Sequence, residues 1–298
     1  MRRGGRTRLL ALVALGLAAC DEPLDEQVSR ITAPRVLAVV ATPAEAAPGA
    51  AVDYAAVVAS PDGTVAAPAL AWAYCTAPKP PTEDNVVAPA CVDDPAAWLP
   101  LGDGATIAAT VPADACRTYG PDVPATGARP RDPDASGGYY QPVRVALAGA
   151  PLTVGLHRLR CGLGDAPPAI AAEFRMRYLP NQHPTLASFA TSDGATAIAP
   201  GATVALVATW PAAAAEPYVA YDRGLVAIVA RREALRVGWF ATGGALAADA
   251  TGVAADDPAT ATQVRWTAPA TPGPVHLWAV LHDDRGGVAV AGLDLDVR

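Results

Sequence analysis

Pro48-Gly49-Ala50-Ala51-Val52-Asp53-Tyr54-Ala55-Ala56-Val57-Val58 decides how this chain is read. A Pro-Gly pair makes a turn, and Val52, Tyr54, Ala56 and Val58 then fall on one face of an extended segment, the two-residue period of a half-buried strand. The opening recurs 152 residues later, where Pro200-Gly201-Ala202-Thr203-Val204 leads Val204, Leu206, Ala208 and Trp210 onto one face. A strand that starts twice in the same way points to one β plan used twice.

Working outward from the first copy, residues 35–41 form an apolar, β-branched strand, and Pro61-Asp62-Gly63 supplies a turn that needs positive φ. Leu70, Trp72 and Tyr74 share a face of the next strand, which leaves Cys75 on the other. Residues 76–100 and 113–141 lack any period and read as surface excursions around strands at 104–111 and 143–147. Strands are expected at 153–161 and 169–178, on either side of Gly162-Leu163-Gly164-Asp165, and the alternation slips at His157-Arg158, which predicts a bulge. In the second copy Trp239 stands for Trp72, residues 262–269 parallel 106–112, and 273–281 parallel 155–163. An insertion at 211–234 follows its first strand, and residues 225–235 are expected to form one short helix. Asp283-Asp284-Arg285-Gly286-Gly287 makes the last hairpin, into a strand at 288–297.

Alanine favours helix, but here it is interleaved with Val, Thr, Pro and Gly, and 30 prolines with 26 glycines interrupt any long helical run. The fold class expected is all-β: two tandem antiparallel sandwiches, each needing a second sheet to bury its apolar face. A tryptophan on a central strand, turns at roughly ten-residue spacing and the closing Asp-Arg-Gly-Gly hairpin are similar to bacterial immunoglobulin-like or polycystic-kidney-disease-type modules. The resemblance covers residues 34–298 and implies architecture alone, since Trp72 precedes both Cys75 and Cys161 and the Cys…Trp…Cys order of antibody domains is absent. The expected division is a leader at 1–19, an acidic tether at 20–33, a first sandwich at 34–179, a linker at 180–184 and a second sandwich at 185–298.

The leader has Arg2, Arg3, Arg6 and Arg8, then nine apolar residues from Leu9 to Leu17, then small residues before Cys20. That is the pattern of a secretory signal, too short to span a bilayer. Leu17-Ala18-Ala19-Cys20 resembles the lipobox of bacterial lipoproteins. The resemblance implies that Cys20 is acylated, becomes the N-terminus and fixes the protein to a membrane of the cell envelope; Asp21 leaves inner or outer membrane open.

Four of the 22 basic residues lie in the leader, so the remainder sets 18 against 29 acidic residues, a net of -11. Such a chain has no electrostatic case for nucleic acid, nor for anionic lipid except through acyl chains. Cys75, Cys91, Cys116 and Cys161 read as two disulfides in an oxidising compartment, with three pairings open. Closure of the short 75–91 loop is favoured, which would leave Cys116 with Cys161.

No catalytic set emerges. There is no G-x-S-x-G or H-E-x-x-H, and the four histidines are scattered, with His157 and His276 at similar places in the two copies. No cofactor is expected and no metal site is assigned. Asp283 and Asp284, followed by two glycines, are the best of three acidic pairs for calcium, against the ordinary account of a solvated loop. Tyr119, Tyr139, Tyr140, Arg129 and Arg131 in the long excursion are candidates for a recognition surface, against the competing account that the tyrosines fill the core. The function expected is a lipid-anchored, non-enzymatic binding or structural module with an envelope protein or glycan as partner. The alternative is a surface hydrolase or carbohydrate-processing enzyme with carboxylates in the insertions.

Overall fold

A computed structural model describes residues 28–78, 87–120, 136–164 and 166–298. In chain order the first half runs β1 (Arg35–Thr42), β2 (Glu45–Ala46), β3 (Ala51–Ser60), β4 (Gly63–Thr64) and β5 (Leu70–Cys75). A short helix α1 (Ala90–Asp93) precedes β6 (Trp98–Asp103) and β7 (Thr106–Thr110), and α2 (Ala115–Thr118) precedes β8 (Gly138–Leu147) and β9 (Thr153–Arg160). Helix α3 (Pro168–Arg177) follows. The second half runs β10 (Ser188–Thr191), β11 (Ala197–Ile198), β12 (Thr203–Thr209), β13 (Pro217–Asp222), β14 (Ala227–Arg232) and β15 (Leu235–Ala241). It ends with β16 (Ala245–Leu246), β17 (Ala250–Val253), β18 (Ala261–Thr267), β19 (Gly273–Asp283) and β20 (Val288–Val297).

These strands make two immunoglobulin-like sandwiches. In the first, β3 carries β1, β4 and β7, facing the sheet β2-β9-β8-β5-β6. In the second, β10-β12-β18-β16 faces β11-β20-β19-β15-β17. The repeat is exact in one detail: two-residue β2 lies parallel to β9 with Glu45 opposite Arg158, and β11 lies parallel to β20 with Ala197 opposite Asp296. Each precedes its Pro-Gly turn, where Gly49 and Gly201 take φ of 78° and 72°. Alternate residues fill the cores as the period requires: Val52, Tyr54, Trp72, Val143 and Leu159 in the first, Leu206, Trp239, Trp266, Leu277 and Leu281 in the second. Each such side chain contributes about 1.5–3 kcal/mol by leaving water. Trp72 and Trp239 donate their indole N–H to Gly104 O at 2.8 Å and Thr251 Oγ1 at 3.0 Å.

Several expectations are corrected. The strand expected at 169–178 is instead α3 with Tyr178 as its extended cap: Pro168 presets the first turn, and Ile170, Phe174 and Tyr178, four residues apart, pack on β13 and β14. Residues 225–235 form no helix but pair as β14 with β13 and then begin β15, because Ile228-Val229 is β-branched and a partner strand precedes it. The excursion at 76–100 contains α1 and the start of β6, and that at 113–141 already enters β8 at Gly138. By register, β19 answers to β8 and β20 to β9, so His276 and His157 are not equivalent. No bulge interrupts β9: its pairing with β8 is continuous from Gly138↔Arg160 to Val145↔Thr153. Alternation slips at His157-Arg158 because both faces of β9 are buried there, His157 against Tyr54 and Arg158 against the second sandwich's side.

The two sandwiches meet face to face. Leu37, Ala38, Val40 and Val57 on the outside of the β1–β3 pair pack on Trp278, Val280, Val288 and Val290 of β19 and β20, with Ile31 and Phe240 at the margin. Trp278 donates to Thr64 Oγ1 across this joint at 2.9 Å. Among the described residues no helix is long and apolar enough to cross a membrane.

Candidate functional site

The polar groups that converge in this fold lie at the rim of the apolar joint. Register places Glu45 of β2 beside Arg158 of β9, and the carboxylate accepts from Arg158 Nε at 3.2 Å. It also accepts from the Tyr178 hydroxyl at 2.6 Å, just past α3, and from the backbone N–H of Asn181 at 2.9 Å. Arg158 donates further to Ser136 Oγ at 2.9 Å and to the Tyr140 hydroxyl at 3.3 Å. Its guanidinium lies flat on Gly138, where a Cβ would collide with it.

The second sandwich supplies the matching half through the β19–β20 turn. Asp283 Oδ1 accepts the backbone N–H groups of Arg285 at 2.9 Å and Gly287 at 2.7 Å, which closes the turn and leaves Gly287 no room for a side chain. Arg285 then reaches back between the rings of Tyr178 and Tyr218, 5.9 and 5.0 Å from their centroids. It lies 3.3 Å from Glu233 Oε1 and 3.9 Å from Glu45 Oε2, and donates to Leu179 O at 3.2 Å. His183 joins the halves as well. Its Nε2 donates to Ala41 O at 2.7 Å, so Nδ1 is left to accept the N–H of Val288 at 3.1 Å.

The side chains of Glu45, Arg158, Glu233 and Arg285 are each 2% exposed or less. Burial alone would lower the Arg158 pKa, but Tyr178, Tyr140 and Glu45 outweigh it and hold the guanidinium charged. Two guanidiniums face three carboxylates, and Glu233 is the supernumerary one: burial, then Asp283, pushes its carboxyl up to about 8. Its Oε2 accepts the Glu216 N–H at 2.8 Å. An array so enclosed can hold two bodies in one orientation, and a substrate cannot reach it, although Glu233 Oε1, Arg285 Nε and Asn181 Oδ1 make no hydrogen bond within it. Sequence reasoning found Asp283 but missed Glu45, Arg158, Glu233 and Arg285. Only the doubled burial at His157-Arg158 carried a signal.

The residues singled out from the sequence are dispersed. Tyr119 and Tyr139 are 3% and 2% exposed inside the first core, and the Tyr119 hydroxyl donates to Cys75 O. Tyr140 is half-buried over Arg158. These rings line the interior, and Arg129, Arg131 and Cys20 lie outside the described residues. Cys75 is bonded to Cys91 and Cys116 to Cys161, the favoured pairing. Asp283 closes its hairpin, Asp284 Oδ2 accepts the Ala234 N–H at 3.4 Å, and among the described residues no three metal-ligating side chains gather. His157 is a core group: Nε2 donates to Pro43 O at 3.2 Å, Nδ1 accepts from the Tyr54 hydroxyl at 2.7 Å, and burial pushes its pKa down to about 4.

Outside the node, an open groove of about 880 Å³ lies on the uncovered part of the β15–β17 face, between Val28, Phe240, Arg236, Asp249, His282 and Asp284. Burial raises the pKa of Asp284 and lowers that of His282.

No known family model matches the chain, and no curated protein matches it. Solved structures similar to it include the human F-spondin reeler domain, 13% identical over 40% of this chain and 93% of that one, with a TM-score of 0.26. Fibronectin(III)-like modules of Clostridium thermocellum CbhA are 11% identical over 89% and 94%, with a TM-score of 0.23. The Yersinia pseudotuberculosis adhesin InvE is 13% identical over 88% of this chain and 58% of its own, with a TM-score of 0.22. These scores measure a loose likeness, and the strand order described above carries the assignment of fold without them.

Proposed function

We propose that this chain is a lipid-anchored cell-envelope protein whose two sandwiches work as one non-enzymatic binding or structural module. The observation that supports this reading is the use made of its ionisable side chains. Those that converge between the sandwiches are water-excluded and committed to each other, the arrangement of a joint rather than of an acid–base pair waiting for substrate. The leader and the Leu-Ala-Ala-Cys sequence give the address, with Cys20 as the acylated residue and the bilayer as first partner; an envelope protein or glycan is the second.

The test is expression in a bacterial host fed an alkyne-labelled fatty acid, followed by fractionation. Label on the protein, and its loss together with release from membranes in Cys20→Ala, are expected. An unlabelled chain found in cytosol with residues 1–19 intact would refute the anchoring. Envelope proteins and glycans recovered with the detergent-extracted protein identify what the module binds.

A further inference from the structure

Helix α3 and the β13–β14 hairpin form a bracket beside the two sandwiches, held by Phe174 and Ile170 against Val219, Tyr221 and Ile228. With Phe174 turned inward, the helical period sets Met176 on the opposite side, between Arg175 and Arg177. Met176 is 81% exposed and Leu179, just beyond, 62%. At the free end of the hairpin Leu225 and Val226 are 70% and 50% exposed, next to Arg223. Val226 holds φ at 50°, a conformation that a β-branched residue rarely adopts and that persists only where the surroundings impose it. The Asp222 carboxylate, accepting the Leu225 N–H at 3.0 Å, fixes the turn that puts both apolar side chains outward.

Charge on the bracket reverses that of the chain. Arg175, Arg177, Arg223, Arg231 and Arg232 stand against Glu173 and Asp222, a local +3 in a protein whose net charge is -7. Glu173 is already paired with Arg177 at 2.7 Å. Apolar side chains flanked by arginine, on a body that is otherwise acidic, suit an anionic bilayer, where the tip enters the headgroup boundary and the guanidiniums meet phosphate.

We propose that this bracket is a second membrane contact, in which Leu225 and Val226 dip into an anionic lipid surface and Arg175, Arg177 and Arg223 hold its headgroups. The charge reversal and the outward tip support this occupant and do not depend on acylation at Cys20.

The test uses the full chain carrying Leu225→Trp and Trp98→Phe, since Trp98 is only partly buried; the new indole then reports from the tip while Trp72, Trp210, Trp239, Trp266 and Trp278 stay buried. Emission is followed on phosphatidylcholine vesicles with and without phosphatidylglycerol, using brominated lipid and aqueous iodide as quenchers. A blue shift with quenching by bromolipid on the anionic vesicles is expected, in the Cys20→Ala background as well. Adding Arg175→Gln, Arg177→Gln and Arg223→Gln should weaken the response about a hundredfold, at about fivefold per arginine. An indole still open to iodide on anionic vesicles overturns the proposal, even where acylation holds the protein on them, and the anchor then stands alone. Equal responses on neutral and anionic vesicles overturn it too, as does shielding of the indole only by a second protein, which would make the bracket a protein interface.

Discussion

Replacing Glu45 by alanine tests the joint most directly. The carboxylate accepts from Arg158, Tyr178 and the Asn181 backbone, and its loss strands a guanidinium that is 1% exposed. An unsatisfied buried polar group costs about 1–3 kcal/mol, and breaking one side of a buried ion pair about 3–5 kcal/mol. These losses overlap, so the expected destabilisation is about 4 kcal/mol. In urea, with a slope of about 2–3 kcal/mol/M, the midpoint followed by tryptophan emission should fall by about 1.5 M. The double variant Glu45→Met with Arg158→Met removes the charge and its partner together, and apolar replacement of a buried pair is often close to neutral. It should therefore be less damaging than Glu45→Ala, with a coupling of at least about 2 kcal/mol in the double-mutant cycle. A loss below about 1 kcal/mol in Glu45→Ala, or a double variant worse than the single, would refute the claim that Glu45 and Arg158 hold one another in the joint.

Three further predictions concern the core, the node and the joint. His157 is neutral in the fold, with its pKa lowered to about 4, so the unfolded chain takes up a proton first as pH falls from about 6.5. Stability should hold above that value and decline towards pH 4 by up to about 3 kcal/mol, a slope that flattens in His157→Asn when urea midpoints are measured against pH. Glu233 acts in the opposite sense: its carboxyl is raised to about 8, so the native state keeps a proton the unfolded chain has lost, and stability falls as pH rises from about 4.5 to 8, by a few kcal/mol at most. Glu233→Gln should remove that decline, and a pH profile unchanged by the substitution would contradict the assignment. Trp278→Ala empties the centre of the apolar joint, where Trp278 meets Ile31 and Ala59; a cost of about 3–5 kcal/mol and faster proteolysis at residues 180–184 are expected, and an unaltered cleavage rate would show that this contact does not hold the two bodies.

The anionic-lipid proposal refines the reading of charge taken from composition. A net value describes the far field of the whole molecule, whereas a bilayer meets one face at a time and the field of other faces is screened within about 8–10 Å at physiological salt. Five arginines, scattered between positions 175 and 232 in the sequence, belong to one bracket because α3 docks on a hairpin some fifty residues later.

Period and punctuation determined the two sandwiches. Val52, Tyr54 and Val58, or Leu206 and Trp210, alternate because one side of each strand faces a core, and that pattern is local, as are the Pro-Gly turns repeated at 152 residues. The continuous apolar run Leu277-Trp278-Ala279-Val280-Leu281 also states locally that both faces of β19 are covered. What covers the outer face is not local, and only the tertiary structure identified it as the β1–β3 pair. The same holds for α3, whose ten residues gain their helix from packing on a distant hairpin, and for Glu45, one acid among alanines until β2 lies against Arg158. Burial on one side of a strand repeats along the chain and leaves a written trace; a partner that arrives from 113 residues away leaves none.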